Sequence, residues 1–274
     1  MSAKIYIGTS GYNYYHWKGV FYPHDLPSYK WLEYYTKFFN TVELNVTFYR
    51  LPQESAFKSW YKRTPKDFVF VLKGSRFISH VKKLNDVKQA VKLFFSRAIL
   101  LKEKLGVILW QLPPSWKKNV KRLDEFLKIT SQFDKAFQSK LEIPQKLSPR
   151  SKCNVSNRGK IHFRQVFEFR HNSWFCEEVY KILKKYNVAL CIADSPYYPR
   201  VEKVTTDFVY LRFHGGKILY GSRYSKKELE EWAKKIKKWT KKKLDIYAYF
   251  NNDAFGYAVE NARELKAMLK NFRE

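Results

Sequence analysis

Hydrophobic and polar positions along the chain alternate between two periods, one typical of β-strands and the other of amphipathic helices. Short runs rich in β-branched and aromatic residues recur along the whole sequence and predict eight strands. These runs cover residues 4–10, 41–45, 68–75, 106–112, 166–171, 188–194, 208–216 and 245–252. Between most of them, apolar residues return every three or four positions, which indicates helices with one buried face.

Strands that alternate with helices predict a parallel sheet whose strands are joined by crossover helices. Eight such units in a chain of 274 residues predict an α/β fold, the (β/α)8 or TIM-type barrel. Residues 195–207 contain two prolines and no helical period, so they predict one irregular crossover. Because no linker interrupts the pattern, we expect residues 1–274 to form a single domain.

The predicted strands end in polar residues, and the alternation of side chains sorts these residues by face. Three pairs share a face: Glu43 with Asn45, Glu168 with Arg170, and Arg212 with His214. The intervening residues are apolar and are predicted to face the helices: Val42, Leu44, Phe167, Phe169, Leu211 and Phe213. Because the carboxyl ends of the strands build the active site of such barrels, we expect the polar residues to converge at the barrel mouth.

A second interpretation of the charged strand ends is a buried ion-pair network with a purely structural role. Two glutamates, two arginines and Lys73 could neutralise one another, since a balanced network avoids the cost of unpaired buried charge. Polar strand ends recur around the whole rim, and this recurrence favours a ligand site over the structural interpretation.

Six motifs occur in order along the chain: IGTSGYNYYHWKGVFYP, VELNVTFYRLP, QLPPSW, FEFRHNSWF, LRFHGG and YFNNDAFGYAVENA. From about residue 4 to about residue 270 the sequence resembles the YecE-like family, a family of uncharacterised proteins. The resemblance implies a TIM-type barrel and assigns no activity. The polar positions that match the family pattern are Glu43, Asn45, Tyr49, Lys73, Gln111, Glu168, Arg170, His171, Trp174, Asp194, Arg212, His214, Asn251 and Asn252.

Composition limits the class of protein. Hydrophobic residues make up 45% of the chain, which is enough for a sizeable core. No apolar run approaches the roughly 18 residues that cross a bilayer, and the first residues lack the order of a signal peptide. We therefore expect a soluble, cytoplasmic protein with no membrane partner. The three cysteines fit no zinc spacing.

Charge adds a candidate partner. The formal net charge is +28, which is typical either of a protein that binds nucleic acid or of one that keeps itself soluble with lysine-rich helices. A basic insertion is predicted at about 138–164, before the fifth strand, where seven basic residues accompany one glutamate. This insertion is interpreted either as a solvated loop or as a basic arm beside the barrel.

Phosphate binding is the first chemistry that the rim suggests. Gly215 and Gly216 follow the seventh strand, where glycine lets backbone N–H groups approach an anion. Arg170 and Arg212 are each predicted to bind a phosphate or carboxylate with two hydrogen-bond donors. Lys73 is predicted to supply a point charge. Further predicted contacts are Asn45, Tyr49, Gln111, Trp174, Asn251 and Asn252.

Acid–base catalysis and metal binding are the other two chemistries considered. Glu43 and Glu168 come from opposite sides of the barrel and are candidates for general acid and base, with His171, Asp194 and His214 as further catalytic candidates. Glu168, Asp194 and His214 are also the candidate ligands of a divalent metal. The nearby arginines and lysine would repel a cation, so a metal cofactor is the weaker hypothesis.

The sequence therefore favours an enzyme that acts on an anionic, phosphate-bearing substrate, and a nucleic-acid or nucleotide phosphodiesterase-type hydrolase is its most concrete form. One alternative is a non-catalytic nucleic-acid-binding protein that uses the basic surface. A second alternative is a sugar or sugar-phosphate isomerase or lyase that uses Glu43 and Glu168.

Overall fold

The structure is a computed structural model that describes residues 2–140 and 164–270. Most of the predicted basic insertion, residues 141–163, lies outside the described residues. Eight strands are present: β1 (Ile5–Thr9), β2 (Thr41–Leu44), β3 (Val69–Lys73), β4 (Leu105–Gln111), β5 (Arg164–Glu168), β6 (Ala189–Asp194), β7 (Phe208–Phe213) and β8 (Asp245–Phe250). They pair in parallel in the order β1-β8-β7-β6-β5-β4-β3-β2.

Helices alternate with these strands, so the predicted TIM-type barrel is confirmed. They are α1 (Trp31–Thr36), α2 (Val46–Tyr49), α3 (Glu54–Lys62), α4 (Lys88–Ala98), α5 (Val120–Lys140), α6 (Glu177–Lys185), α7 (Lys226–Lys241) and α8 (Tyr257–Lys270). Residues 195–207 connect β6 to β7 without a helix, as their prolines predict. None of the helices in the described part of the chain is long and apolar enough to span a membrane.

Two apolar clusters follow from the alternation of side chains along the strands. The larger cluster lies between the strands and the helices and contains Phe167, Phe169, Leu211 and Phe213, as predicted. The smaller cluster fills the barrel interior with aliphatic side chains on one side and with Tyr210, Tyr247 and Tyr249 on the other. The barrel interior beneath the mouth is therefore filled by packed side chains.

The predicted strands extend too far at their carboxyl ends. For example, β3 ends at Lys73 and β5 at Glu168, so Arg170 and His171 lie on the loop that follows β5. The apolar period that indicates a helix after the third strand includes Leu84, but α4 begins only at Lys88, because residues 83, 84 and 86 have positive φ angles. Polar residues at the rim continue the alternating pattern after the last ladder hydrogen bond, and this misleads a prediction from periodicity.

The ring of strands is joined least tightly between β1 and β2. One bridge links Ser10 to Glu43, and the Gly11 N–H donates to the Glu43 carbonyl at 2.7 Å. Every other neighbouring pair of strands forms a ladder of at least two residue pairs. The seam between β1 and β2 therefore depends on other contacts.

The hydroxyl of Tyr35, from α1, fills this seam. It accepts a hydrogen bond from the Thr9 N–H at 3.0 Å and donates one to the Thr41 carbonyl at 3.0 Å. Gly8 makes room for this arrangement, since a Cβ at that position would collide with the Thr41 carbonyl oxygen. A buried side chain thus takes the place of a ladder hydrogen bond.

We predict that Tyr35→Phe lowers the free energy of unfolding by about 1–3 kcal/mol, because it leaves a buried N–H and a buried carbonyl without partners. Chemical denaturation measures the change. Tyr29→Phe is the matched control, since Tyr29 is exposed, and it should leave stability unchanged. Equal stability of both variants and the wild type would show that the seam does not need the hydroxyl.

Candidate active site

Arg212, on the inner face of β7, is the centre of the polar groups at the barrel mouth. Its side chain is fully buried. Two of its nitrogens, Nη2 and Nε, donate to the Glu43 carboxylate at 2.7 Å and 3.1 Å. The third, Nη1, donates to the Glu168 carboxylate. One guanidinium therefore ties β2 and β5 to β7 across the barrel.

Both carboxylates have additional donors. The hydroxyls of Ser10 and Tyr210 donate to Glu43, the second at 2.6 Å. Arg170 Nε donates to Glu168 at 2.6 Å. The carboxylates are thus paired with charges and also hydrogen-bonded, as buried charges must be to remain ionised.

The protonation states of the two glutamates follow from these contacts. Burial opposes the charge of Glu43, but the Arg212 guanidinium and the hydroxyls of Ser10 and Tyr210 together outweigh burial and lower the pKa of the carboxyl. Burial likewise opposes the charge of Glu168, and Arg170 and Arg212 together hold its pKa well below the ordinary value. Both groups are anionic at neutral pH and fully engaged, which makes them poor proton donors or acceptors.

Lys73 ends β3 and reaches the same region without a carboxylate partner. Its ammonium lies 4.2 Å from the centroid of the Phe48 ring, and no ion pair joins it to an acid among the described residues. Burial, aided by the positive charge of Arg212, lowers the pKa of Lys73 to about 7. Lys73 is therefore the group at the mouth that exchanges a proton near neutral pH.

His214 follows β7 and is fully buried. Its Nδ1 accepts a hydrogen bond from the Asn251 amide at 3.1 Å, and its Nε2 lies 3.5 Å from Glu168 Oε1. Burial lowers the pKa of His214 to about 4, so the ring is neutral and Nε2 carries the proton. Within the described residues this Nε2 makes no hydrogen bond, and Asn45 Oδ1 is a second buried atom without a partner.

We refer to Glu43, Lys73, Glu168, Arg170, Arg212 and His214 as the mouth cluster. Two carboxylates balance two guanidiniums in it, and the histidine is neutral. Protonated Lys73 therefore gives the cluster a surplus of one positive charge. A buried surplus of this kind is costly unless an anion compensates it.

A cavity of about 360 Å³ opens beside Arg170. It is lined by Arg170, His171, Asn172, Pro196, Tyr197, Tyr198 and Pro199. The guanidinium carbon lies 4.1 Å from the centroid of the Tyr198 ring, and Nη1 donates to the Tyr198 hydroxyl at 3.2 Å. Arg170 Nη2 makes no hydrogen bond to any described residue and is left for a ligand.

Asp194 does not join the mouth cluster. Odd-numbered residues of β6, such as Cys191 and Ala193, face the barrel interior, so Asp194 faces the helices. There its carboxylate accepts from Arg200 at 2.9 Å and from Trp232 Nε1 at 3.2 Å. The metal ligand set of Glu168, Asp194 and His214 is therefore not assembled, and the described residues contain no other group of acids, histidines and cysteines placed to hold a metal.

Two further predicted contacts have structural roles. Trp174 is buried, stacks on Phe169 with a centroid distance of 4.7 Å and donates to the Trp116 carbonyl at 2.8 Å. The Asn252 amide is also buried and donates to the Ser222 carbonyl and the Asn261 side chain. These contacts connect neither side chain to the mouth cluster.

Most N–H groups of the glycine turn after β7 already donate to hydroxyls of the protein. Gly215 has the positive φ of 95° that the turn requires, but its N–H donates to the Tyr224 hydroxyl at 3.1 Å. The N–H groups of residues 217 and 218 donate to Ser222 Oγ. Gly216 packs near Glu228, and its N–H makes no hydrogen bond within the described residues. Three N–H groups of the predicted phosphate cradle are therefore already hydrogen-bonded, and the contact predicted at Gly216 stays a prediction.

The remaining predicted residues lie around the cluster. Gln111 accepts a hydrogen bond from Arg212 at 3.4 Å. His171 lines the cavity, and its Nδ1 accepts from the Ser173 N–H at 3.1 Å. Tyr49 is largely exposed at the rim.

Three contributors to the site were missed by the sequence analysis. Tyr210 lies two residues before Arg212 on the same strand face, so alternation could have identified it. Ser10 directly follows β1 and could have been added by its position alone. Tyr198 lies in the irregular crossover, where no periodic signal exists.

The fold and the site together define a (β/α)8 barrel protein with a buried ion-pair network at the carboxyl ends of its strands. Residues 6–274 match the family described as "Protein of unknown function DUF72", and the chain belongs to this family. The membership agrees with the YecE-like resemblance of the sequence motifs.

Relatives of known sequence and structure match either most or part of the chain. The UPF0759 protein YunF of Bacillus subtilis (strain 168) is 26% identical, over 97% of this chain and 94% of the relative. The UPF0759 protein YecE of Escherichia coli (strain K12) is 35% identical over 31% of each chain. The crystal structure of a DUF72 family protein from Thermotoga maritima MSB8 is similar with a TM-score of 0.77 and 30% identity, covering 97% of this chain and 99% of that one.

We predict that Lys73→Met stabilises the protein most at acidic pH. Below pH 7, Lys73 is charged in the folded and the unfolded chain, and folding carries the full cost of burying that charge. Above about pH 7 the folded chain releases the proton, while an unfolded lysine keeps it up to 10.5. Wild-type stability should therefore rise relative to the variant, by up to about 1.4 kcal/mol per pH unit.

Urea denaturation of both proteins from pH 6 to pH 10 measures this difference. Lys92→Met, on the exposed face of α4, is the control and should show no pH-dependent difference. A constant difference between wild type and Lys73→Met would show that Lys73 has an ordinary pKa.

Proposed function

We propose that this protein is an enzyme that acts on an anionic, phosphate-bearing substrate at the barrel mouth. The observation that carries the proposal is the unpaired amine of Lys73 beside two carboxylates that are already balanced by Arg170 and Arg212. A substrate phosphate would supply the missing negative charge.

Arg170 is the residue proposed to contact the phosphate first. One edge of its guanidinium is fixed by Glu168 and its face by Tyr198, so the group is oriented before a ligand arrives. Arg170 lines the cavity, and its Nη2 is proposed to donate to a phosphate oxygen there with little further loss of side-chain entropy. Arg212, in contrast, is buried between two carboxylates and orients the cluster without touching substrate.

Hydrolysis of a phosphate ester is the concrete reaction proposed. Water attacks phosphorus, and the bond from phosphorus to the leaving oxygen breaks. Lys73 donates its proton to that oxygen and recovers one from the attacking water, so protons balance over the reaction. A group with a pKa near 7 suits both transfers at neutral pH.

The isomerase or lyase alternative is disfavoured by the state of the two glutamates. Such a reaction needs a carboxylate that takes up a proton, and Glu43 and Glu168 are held as anions by arginines. The proposed chemistry therefore places proton transfer on Lys73.

Arg170→Lys tests the phosphate contact. Inorganic phosphate or a mononucleotide should raise the melting temperature of the wild type, and the variant should lose most of this shift, because lysine keeps the charge but loses the planar donors. Arg223→Lys, at an exposed ion pair with Glu264, is the matched control and should keep the full shift.

Two further measurements complete the test. Bis(p-nitrophenyl) phosphate should be hydrolysed by the wild type, and Lys73→Met should lower kcat by on the order of 100-fold or more. The absence of both a phosphate shift and turnover in the wild type would refute the proposed function. A large loss of melting temperature in Arg170→Lys without ligand would instead assign Arg170 a structural role.

A further inference from the structure

Exposed apolar side chains are concentrated on one end of the barrel. Within the described residues, every large apolar side chain that is markedly exposed, except Leu93 on α4, lies on a connection that follows the carboxyl end of a strand. They are Tyr15, Val20, Tyr29, Val46, Tyr49, Phe77, Val81, Tyr197, Ile218 and Phe255. This end carries the mouth cluster, so the apolar groups surround it.

Four neighbouring connections form a continuous stretch of this rim, which we call the aromatic arc: residues 10–24, 45–53, 74–85 and 251–256. His16 Nε2 contacts the Asp253 carbonyl at 2.6 Å, which joins the connections after β1 and β8. The Asn45 amide donates to the Ser10 carbonyl at 3.1 Å, which joins those after β1 and β2. The rings of Phe48 and His80 lie 5.0 Å apart and join those after β2 and β3.

Four rings of the arc are open to solvent. The exposed fractions are 78% for Tyr15, 76% for Tyr49, 47% for Phe77 and 66% for Phe255. Each ring comes from a different connection, so the rings are spread along the arc. Spread aromatic faces are suited to stacking a series of flat groups.

The charge of the arc is mostly positive. The segments 10–24, 45–53 and 74–85 carry five cations: Lys18, Arg50, Arg76, Lys82 and Lys83. Their acids lie at the borders of the segments, where Glu54 pairs with Arg97 and Asp86 with Lys82, and Asp25 follows the first segment. The acid of the fourth segment, Asp253, is largely buried beside His16. Arg50 and Arg76 are exposed, and neither has an ion-pair partner among the described residues. Each of them directly adjoins an exposed ring, Tyr49 or Phe77.

We propose that the aromatic arc binds single-stranded nucleic acid, with bases stacked on the exposed rings and phosphates on the adjoining arginines. Alternating rings and cations match the alternating bases and phosphates of a single strand, and the cations of the arc outnumber the acids in and beside it. Single-stranded nucleic acid is then the class of phosphate-bearing substrate, so this inference rests on the proposed function.

The arc leads directly to the mouth cluster. The Phe48 ring contacts both the exposed Tyr49 ring, at 5.1 Å, and the Lys73 ammonium, at 4.2 Å. A strand held on Tyr49 therefore brings a phosphate close to Lys73. Binding along the arc and chemistry at the mouth remain separable, because different side chains perform them.

Fluorescence anisotropy with a labelled oligothymidine of about 15 nucleotides tests the inference on the full chain. Wild type should bind at low salt. The double substitution Tyr49→Ala and Phe77→Ala should weaken binding by roughly tenfold for each ring. Leu93→Ala removes an exposed apolar side chain away from the arc and should leave affinity unchanged.

The salt dependence tests the phosphate contacts. Arg50→Gln with Arg76→Gln should flatten the plot of log K against log salt by about 0.7 for each lost contact. Lys88→Gln with Lys92→Gln, two cations on α4, is the charge-matched control and should leave the slope as it is. Equal effects of the two double variants would assign binding to net charge and overturn the inference.

The other outcomes are also decisive. No binding of the oligonucleotide at low salt overturns the inference, as does binding only to phosphatidylglycerol vesicles, which would point to a membrane surface instead. If the wild type binds no oligonucleotide but phosphate still raises its melting temperature, the binding role of the arc is refuted and the proposed function is retained. If oligonucleotide binding depends on the arc but the wild type shows neither a phosphate shift nor turnover, the binding role is retained and the proposed function is refuted.

Discussion

A single guanidinium buried between two carboxylates is the constraint on which this molecule depends. Arg212 cannot leave the barrel interior without leaving Glu43 charged and without an ion-pair partner, an outcome that typically costs about 3–5 kcal/mol, and leaving Glu168 with Arg170 alone. The three residues come from β7, β2 and β5, so the network fixes the relative positions of distant strands. The rim of the barrel is ordered by charge as much as by apolar packing.

That constraint also explains why Lys73 is chemically distinct. Because the two carboxylates are saturated by arginines and hydroxyls, neither is available to pair with a third cation. The lysine is left against the Phe48 ring, in surroundings that disfavour its charge. The ion-pair network therefore leaves at its border an amine with a lowered pKa, although the network itself contains no proton donor.

Sequence periodicity predicted the barrel and the inward orientation of Glu43, Glu168 and Arg212, because alternation along a strand is local geometry. It failed at Asp194, which was assigned to the mouth by polarity alone although Cys191 and Ala193 already define the inner face. Local pattern could not reveal that a tyrosine hydroxyl uses the Gly215 N–H. Partners that are distant in sequence decide which donors remain free, and periodicity carries no information about them.

The seam filled by Tyr35 has a consequence for how the chain acquires its fold. β1 forms its ladder with β8, and the Lys4 N–H pairs with Asp245 across 241 residues of sequence. Its sequence neighbour β2 offers one bridge and a tyrosine hydroxyl. β1 therefore gains a strand partner along its length only from β8, which is distant in sequence. Closing the barrel here requires a contact of high sequence separation, and such contacts carry a large loop-closure entropy.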